Sequence, residues 1–229
     1  MENKRELWNL NQKKLREIIL KKGRFNEAIK LCLEQHRMVH AYKMSQSKDK
    51  TFDDLLWEDL DEEIFRTITN KKGRTIAYGM WHSARIEDIT MSILVADSQQ
   101  VINSDNWLER INSKICDTGN AMTSEEILDF SKEINMKALR EYKIAVGRRT
   151  QEIIKNLKSE DMKRKTSKEG LKRVLQEGAV LDVEGANWLI DFWGKKNVAG
   201  LILMPGTRHH IVHINESLEA KKKSLKKKK

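Results

Sequence analysis

One proline in 229 residues constrains the fold of this chain more than any motif does. Proline and glycine are the strongest punctuators of local structure. Together with eleven glycines they make twelve residues, about 5% of the chain, against an average near 12%. A chain with so few turn residues makes few turns, which favours long helices and excludes a sandwich or barrel of many short strands. Six tryptophans and 39% hydrophobic residues supply a core and argue against disorder.

The spacing of apolar residues agrees. Leu7, Leu10, Leu15, Ile18 and Ile19 predict a first helix that ends near Gly23. A second is expected from about Asn26 to Met44, with Ile29, Cys32, Leu33, His36, Val39 and His40 on or beside one face. Residues 51–70 read as two short helical pieces. The most regular stripe, Tyr78, His82, Ile86, Ile89, Ile93 and Ala96, predicts one helix over about 75–101. Thr123-Ser124-Glu125-Glu126 has the form of a capping box that opens another helix. A long helix comes next over about 135–157, and Asp182–Gly194 contributes Trp188 and Trp193 as core. A last helix over 198–218 is broken at Pro205, whose nitrogen cannot donate to the helix ladder. The expected fold is all-α, one domain over residues 1–220, with additions at 45–75 and 158–195.

Charge narrows the function. The net +10 is concentrated at the end: seven lysines lie in 221–229, which leaves +3 on residues 1–220. That balance supports no broad basic face and no specific nucleic-acid reading. The lysine run is expected to be a disordered, solvated tail that at most adds salt-sensitive affinity for a polyanion. Cys32 and Cys116 are the only cysteines, which excludes a disulfide framework or a Cys-based zinc motif. No apolar run approaches the roughly 20 residues of a membrane span, no signal peptide is apparent, and a cytoplasmic location is the expectation.

Chemistry is concentrated in six histidines. His209 and His213 stand four apart on a predicted helix, so both rings project from one face about 6 Å apart at Cβ and can share an ion. His82 sits in the apolar stripe of another helix, where a ring nitrogen must find a partner. Three histidines from two helices leave a metal with open positions, the pattern of a catalytic site. The same residues also fit a plain core, with His82 bonded to a carbonyl and His209 and His213 on a wet face. His210 lies about 100° from the His209–His213 face and is expected to be exposed. His36 and His40 form a second i, i+4 pair; either can reach the pocket as an acid/base group or extra ligand. Arg85 can hold an anionic substrate group, and Glu87 can orient a metal ligand by accepting a hydrogen bond from its other ring N–H. Both also fit a solvent-facing ion pair. Met204–Thr207 precedes the histidine turn and is expected to shape the pocket rim.

Trp81-His82-Ser83-Ala84-Arg85-Ile86-Glu87-Asp88, with Arg208-His209-His210-Ile211-Val212-His213 far downstream, resembles the DinB/YfiT-like superfamily. These are metal-binding four-helix bundles, unrelated to the DNA polymerase of the same name. The resemblance implies a four-helix bundle with extra short helices and a divalent metal (zinc, nickel, iron or manganese) on His82, His209 and His213. It further implies use of water or a low-molecular-weight thiol such as bacillithiol or mycothiol in S-transfer, isomerisation or hydrolysis, a small-molecule substrate, and pairing as a homodimer. The competing expectation is a non-catalytic, metal-stabilised bundle that binds a partner under stress.

Overall fold

A computed structural model describes residues 2–46, 49–71 and 73–228. Among these the chain is all-α; its only β-type pairings are isolated bridges, Ile68 with Thr75 and Lys165 with Asn197. The first half of the chain forms α1 (Glu2–Ile18), α2 (Phe25–Met38), α3 (Tyr42–Ser45), α4 (Phe52–Trp57), α5 (Glu62–Phe65), α6 (Ile76–Asp88), α7 (Trp107–Ile111) and α8 (Ser124–Glu133). The second half supplies α9 (Met136–Asn156), α10 (Lys168–Gln176), α11 (Glu184–Gly194), α12 (Val198–Leu203) and α13 (His209–Lys227).

Local sequence explains most of the boundaries. Thr51 and Thr123 each close a capping box, with Asp54 and Glu126, and Asn135 and Asn197 cap α9 and α12. These side chains satisfy N–H groups that a helix start leaves without partners. The two short pieces expected over 51–70 are α4 and α5. Two longer expectations change. The second helix stops at Met38 rather than Met44, so His40 lies beyond its end. The helix expected over 75–101 is α6 continued by one π-helical stretch, Ile89–Val95.

Helix α6 is the axis of the molecule, with α9 and α13 packed against it and α2 against α9. Every residue of α6 and of the π stretch is buried, polar ones included. Ser83, Arg85, Glu87 and Asp88 therefore each need a partner inside the protein, because burying them unpaired is costly. The loop at 116–119 supplies four partners in a row. The carbonyls of Cys116, Asp117, Thr118 and Gly119 accept from Arg85, Trp81, His82 and Tyr78 respectively. This close approach requires Gly119: its φ is +71°, and a Cβ there would stand 3.1 Å from the Tyr78 ring.

Pro205 breaks the last helix as expected, in a specific way. Met204–Arg208 forms a π turn between α12 and α13, and one inserted residue rotates the face that α13 presents by about 100°. Thr207 Oγ1 donates to the carbonyls of Ile202 and Leu203, and Gln12 Nε2 donates to Leu203 O and to Thr207 Oγ1. These bonds hold the turn that aims the histidines of α13.

The lysine-rich end is helical rather than disordered through Lys227; Lys229 lies outside the described residues. Lys221 Nζ reaches the carbonyls of Leu55, Leu56 and Glu58 at the C-terminal end of α4, where a helix dipole favours a cation. Lys228 meets Asp61 and Glu63. No helix among the described residues is long and apolar enough to cross a membrane.

Candidate metal centre

His82 on α6 and His209 and His213 on α13 meet at the base of a cavity. One ring nitrogen of each lies within 4.8 Å of the other two, so the group can hold a metal ion. The rings sit edge-to-face, with centroids 4.9 Å (His82–His209), 5.1 Å (His82–His213) and 4.7 Å (His209–His213) apart. His209 Nε2 and His213 Nε2 are 3.3 Å apart. Two nitrogens bound at 2.0–2.1 Å to one tetrahedral ion stand about 3.3–3.4 Å apart.

Tautomers favour ligation as well. Thr118 O lies 2.7 Å from His82 Nδ1. A carbonyl only accepts, so Nδ1 carries the proton and Nε2 presents its lone pair. The core-histidine reading and the ligand reading of His82 thus describe two ends of one ring. Glu216 stands 3.6 Å from His213 Nδ1, too far for a full hydrogen bond but placed to favour a proton there. His213 in turn holds the Glu216 carboxyl below its usual value. His209 Nδ1 is buried with no partner. Burial, reinforced by His213, lowers the His82 pKa to about 3, and burial beside His82 and His213 puts His209 well below its ordinary value. Both rings are therefore neutral, the form that binds metal. Gly79 lies where the two helices meet; a Cβ there would stand in contact with His213 Nδ1 at 3.4 Å, so a larger side chain would press on that ring.

The cavity, about 330 Å³, opens on one side of the three histidines. Its walls are aromatic and aliphatic: Ile86, Trp188, Leu189, Phe192, Trp193, Met204, Pro205 and Val212. Arg74 and Asn120 are its polar residues besides the histidines. Met204 and Pro205 thus form part of the wall, as their position before the histidine turn suggests. Trp193 is core, but Trp188 is half exposed at the mouth, which corrects its expected burial. A larger groove of about 1000 Å³, lined by Trp57, Trp107 and Arg140 among others, holds none of the histidines.

The other expected site residues lie elsewhere. Arg85 is fully buried and bonds Asp88, Tyr142, Gln100 and Cys116 O. Its guanidinium is used up by the protein and does not line the cavity, so it holds no substrate group there. Arg74 is the arginine that does, and neither its number nor its neighbours marked it in the sequence. Glu87 does not orient the three histidines. Its carboxylate instead receives His36 Nε2 at 2.6 Å and His40 Nε2 at 2.9 Å, and these three residues form a second group able to hold a metal. His40 is fully buried in that cluster rather than substrate-facing. His210, expected exposed, is also fully buried, with Nε2 2.6 Å from Glu87 Oε2. The reason is that α13 is covered on two sides, so a 100° turn leads from one buried cluster to another. Burial alone would raise the Glu87 carboxyl, yet His40, His36 and His210 together hold it well below its usual value. Burial takes His40 down to about 3. Cys32 is buried, its thiol pushed up to about 12 by burial, which leaves it an inert core residue.

Comparison with protein-family models and with curated proteins gives no match. Among solved structures, the chain is similar to a conserved protein from Enterococcus faecalis. The TM-score is 0.56 at 17% identity, over 84% of this chain and 94% of the other. At that identity the likeness concerns the fold alone.

Proposed function

We propose that the protein is a metal-dependent enzyme of the DinB/YfiT-like kind that acts on a small amphipathic molecule, with His82, His209 and His213 as the metal ligands. The observation that carries this reading is the convergence of three imidazoles on one wall of an otherwise apolar cavity, one of them with its Nδ1 tied to Thr118 O. The packing of α2, α6, α9 and α13 supports the bundle that the sequence resemblance implies.

A divalent ion held by neutral ligands keeps its full charge and lowers the pKa of an added water or thiol. The remaining chemistry belongs to the chain. Trp188, Phe192 and Val212 take up the apolar part of a substrate and exclude water from the histidines. Arg74 binds an anionic group, and Asn120, whose Oδ1 is buried without a partner, accepts a hydrogen bond. Glu216 keeps His213 in the tautomer that points Nε2 inward.

The test is elemental mass spectrometry on untagged full-length protein purified without chelator. Zinc, nickel, iron or manganese is expected in the protein, with about one equivalent fewer in His82→Ala than in the parent chain, together with turnover in a screen of thiols with electrophiles and of esters. Full metal content in His82→Ala, His209→Ala and His213→Ala alike sinks the assignment. A loaded protein without turnover in either screen returns it to a metal-stabilised binding bundle.

A further inference from the structure

The second histidine cluster is more enclosed than the first and more heavily supplied with nitrogen. His36, His40, Glu87 and His210 are each 0% exposed. They come from four places in the chain: α2, the residues just after it, the middle of the molecule in α6, and the first turn of α13. The rings of His36 and His40 are 4.4 Å apart, and those of His40 and His210 4.9 Å. Helix α9 leaves room for them with Gly147, where a Cβ would come within 2.7 Å of His40 Nδ1.

Hydrogen bonding does not account for this cluster. Glu87 Oε1 takes His36 and Oε2 takes His40. His210 Nε2 then approaches Oε2 at 2.6 Å, and His210 Nδ1 is buried without a partner. His36 Nδ1 and His40 Nδ1 are also buried without one. Buried polar atoms in folded proteins rarely stay unmatched, because leaving one so is costly. Among the described residues, the ion-pair partners of the Glu87 carboxylate are histidine rings and no lysine or arginine. The nearby Lys143 is spent on Asp53 and Val39 O. A buried carboxylate on which three imidazole nitrogens converge, with no lysine or arginine paired to it, is a donor set suited to a cation.

We propose that His36, His40, His210 and Glu87 form a second, closed metal site, which holds a divalent transition ion such as zinc and joins α2, α6 and α13. Three imidazoles and one carboxylate suit zinc, iron or manganese rather than calcium or magnesium, which prefer all-oxygen shells. Four protein ligands with no open position make the site structural rather than catalytic. The ligand atoms of His36, His40 and Glu87 lie within 4.8 Å of one another, and His210 Nε2, 2.6 Å from Glu87 Oε2, completes the set as the fourth ligand. His209 and His210 are consecutive, so one turn of α13 delivers a ligand to each site, and the closed ion fixes the turn that aims the open one.

The inference stands apart from the function proposed above, and one experiment separates them. Full-length protein is unfolded, refolded with excess zinc or cobalt(II), and desalted. Metal per chain is then counted by elemental mass spectrometry, with cobalt absorption recorded alongside. Two equivalents are expected. His82→Ala/His213→Ala should keep one, with a cobalt spectrum that does not respond to added 2-mercaptoethanol; His210→Gln and Glu87→Gln should keep the other, which does respond. One equivalent in the parent chain that disappears in His82→Ala/His213→Ala overturns the closed site and leaves the open one standing. One equivalent that survives in that double variant and is lost in His210→Gln supports the closed site and overturns the open one. No retained metal overturns both. If His210→Gln and Glu87→Gln do not fold, the parent count and the double variant still decide.

Discussion

A buried histidine reports its surroundings through its protonation, and two of the histidines here make that measurable. His82 and His40 have folded-state pKa values lowered to about 3 from the usual 6.5, mainly by burial. Between those values the unfolded chain binds protons that the metal-free folded protein does not, so stability rises with pH across the window. It is fully present above about 6.5 and is lost as pH falls toward 3, at up to about 1.4 kcal/mol per pH unit for each ring. Thermal melts of metal-free protein should therefore show Tm falling steadily from pH 6.5 to pH 4; a flat profile would contradict the neutral, buried assignment. Metal content answers at the same scale. His82→Ala, His209→Ala or His213→Ala should each weaken binding at the open site by more than the roughly 10–100-fold that loss of an outer hydrogen-bond partner costs, as read by competition with a chromophoric chelator. Arg85→Ala belongs to a different class. It leaves the Asp88 carboxylate buried without its cation, which costs about 3–5 kcal/mol. Urea denaturation should register that loss, and a change in substrate affinity without one would restore the substrate-binding role.

At the scale of the helix, the open site depends on two contacts that touch no metal. The first is Thr207, whose hydroxyl serves the carbonyls of Ile202 and Leu203 in the π turn and accepts from Gln12. Thr207→Val keeps the shape and removes those bonds. It should lower stability by about 1–3 kcal/mol and weaken metal binding with it, because His209 begins the next turn. The second is Gly79, at the contact between α6 and α13. Gly79→Leu adds a side chain where the Cβ alone already meets His213 at 3.4 Å. Metal affinity should fall while α-helix content by circular dichroism stays unchanged; equal affinity would mean that the helices do not need this approach.

Across the whole molecule, the cavity and the histidines have separable duties. Arg74 and Trp188 line the cavity without belonging to the three-histidine group. Arg74→Ala and Trp188→Ala should keep full metal content and raise KM for an anionic, apolar substrate once one is found. Loss of metal in either would show that the wall and the site are one structural unit. The basic C-terminal segment has a structural share too. Lys221 closes the end of α4, and Lys228 bridges to the acidic start of α5. Truncation after residue 220 should therefore lower Tm, rather than leave it unchanged as loss of a free tail would.

Much of this architecture is legible in the residues alone. Scarce proline and glycine, apolar spacing of three and four, and the threonine caps determine an all-α chain and most of its helix starts, because those effects act within a few residues of one another. His82, His209 and His213 also stand out in the sequence, since a histidine in an apolar stripe and an i, i+4 pair are local patterns. Their surroundings are not local. Arg74, Asn120 and Trp188 reach the cavity from three separate segments, and no periodicity marks them. Arg85, Glu87 and His210 carry charges or polar rings that propensity assigns to water. They are buried because α6 is covered on every side and α13 on two, and apart from Asp88 beside Arg85 the partners that make burial tolerable lie 15 to 123 residues away. Helical periodicity determines which face of a helix a residue occupies; only the packing of other helices decides whether that face meets solvent, a cavity or a second cluster of histidines.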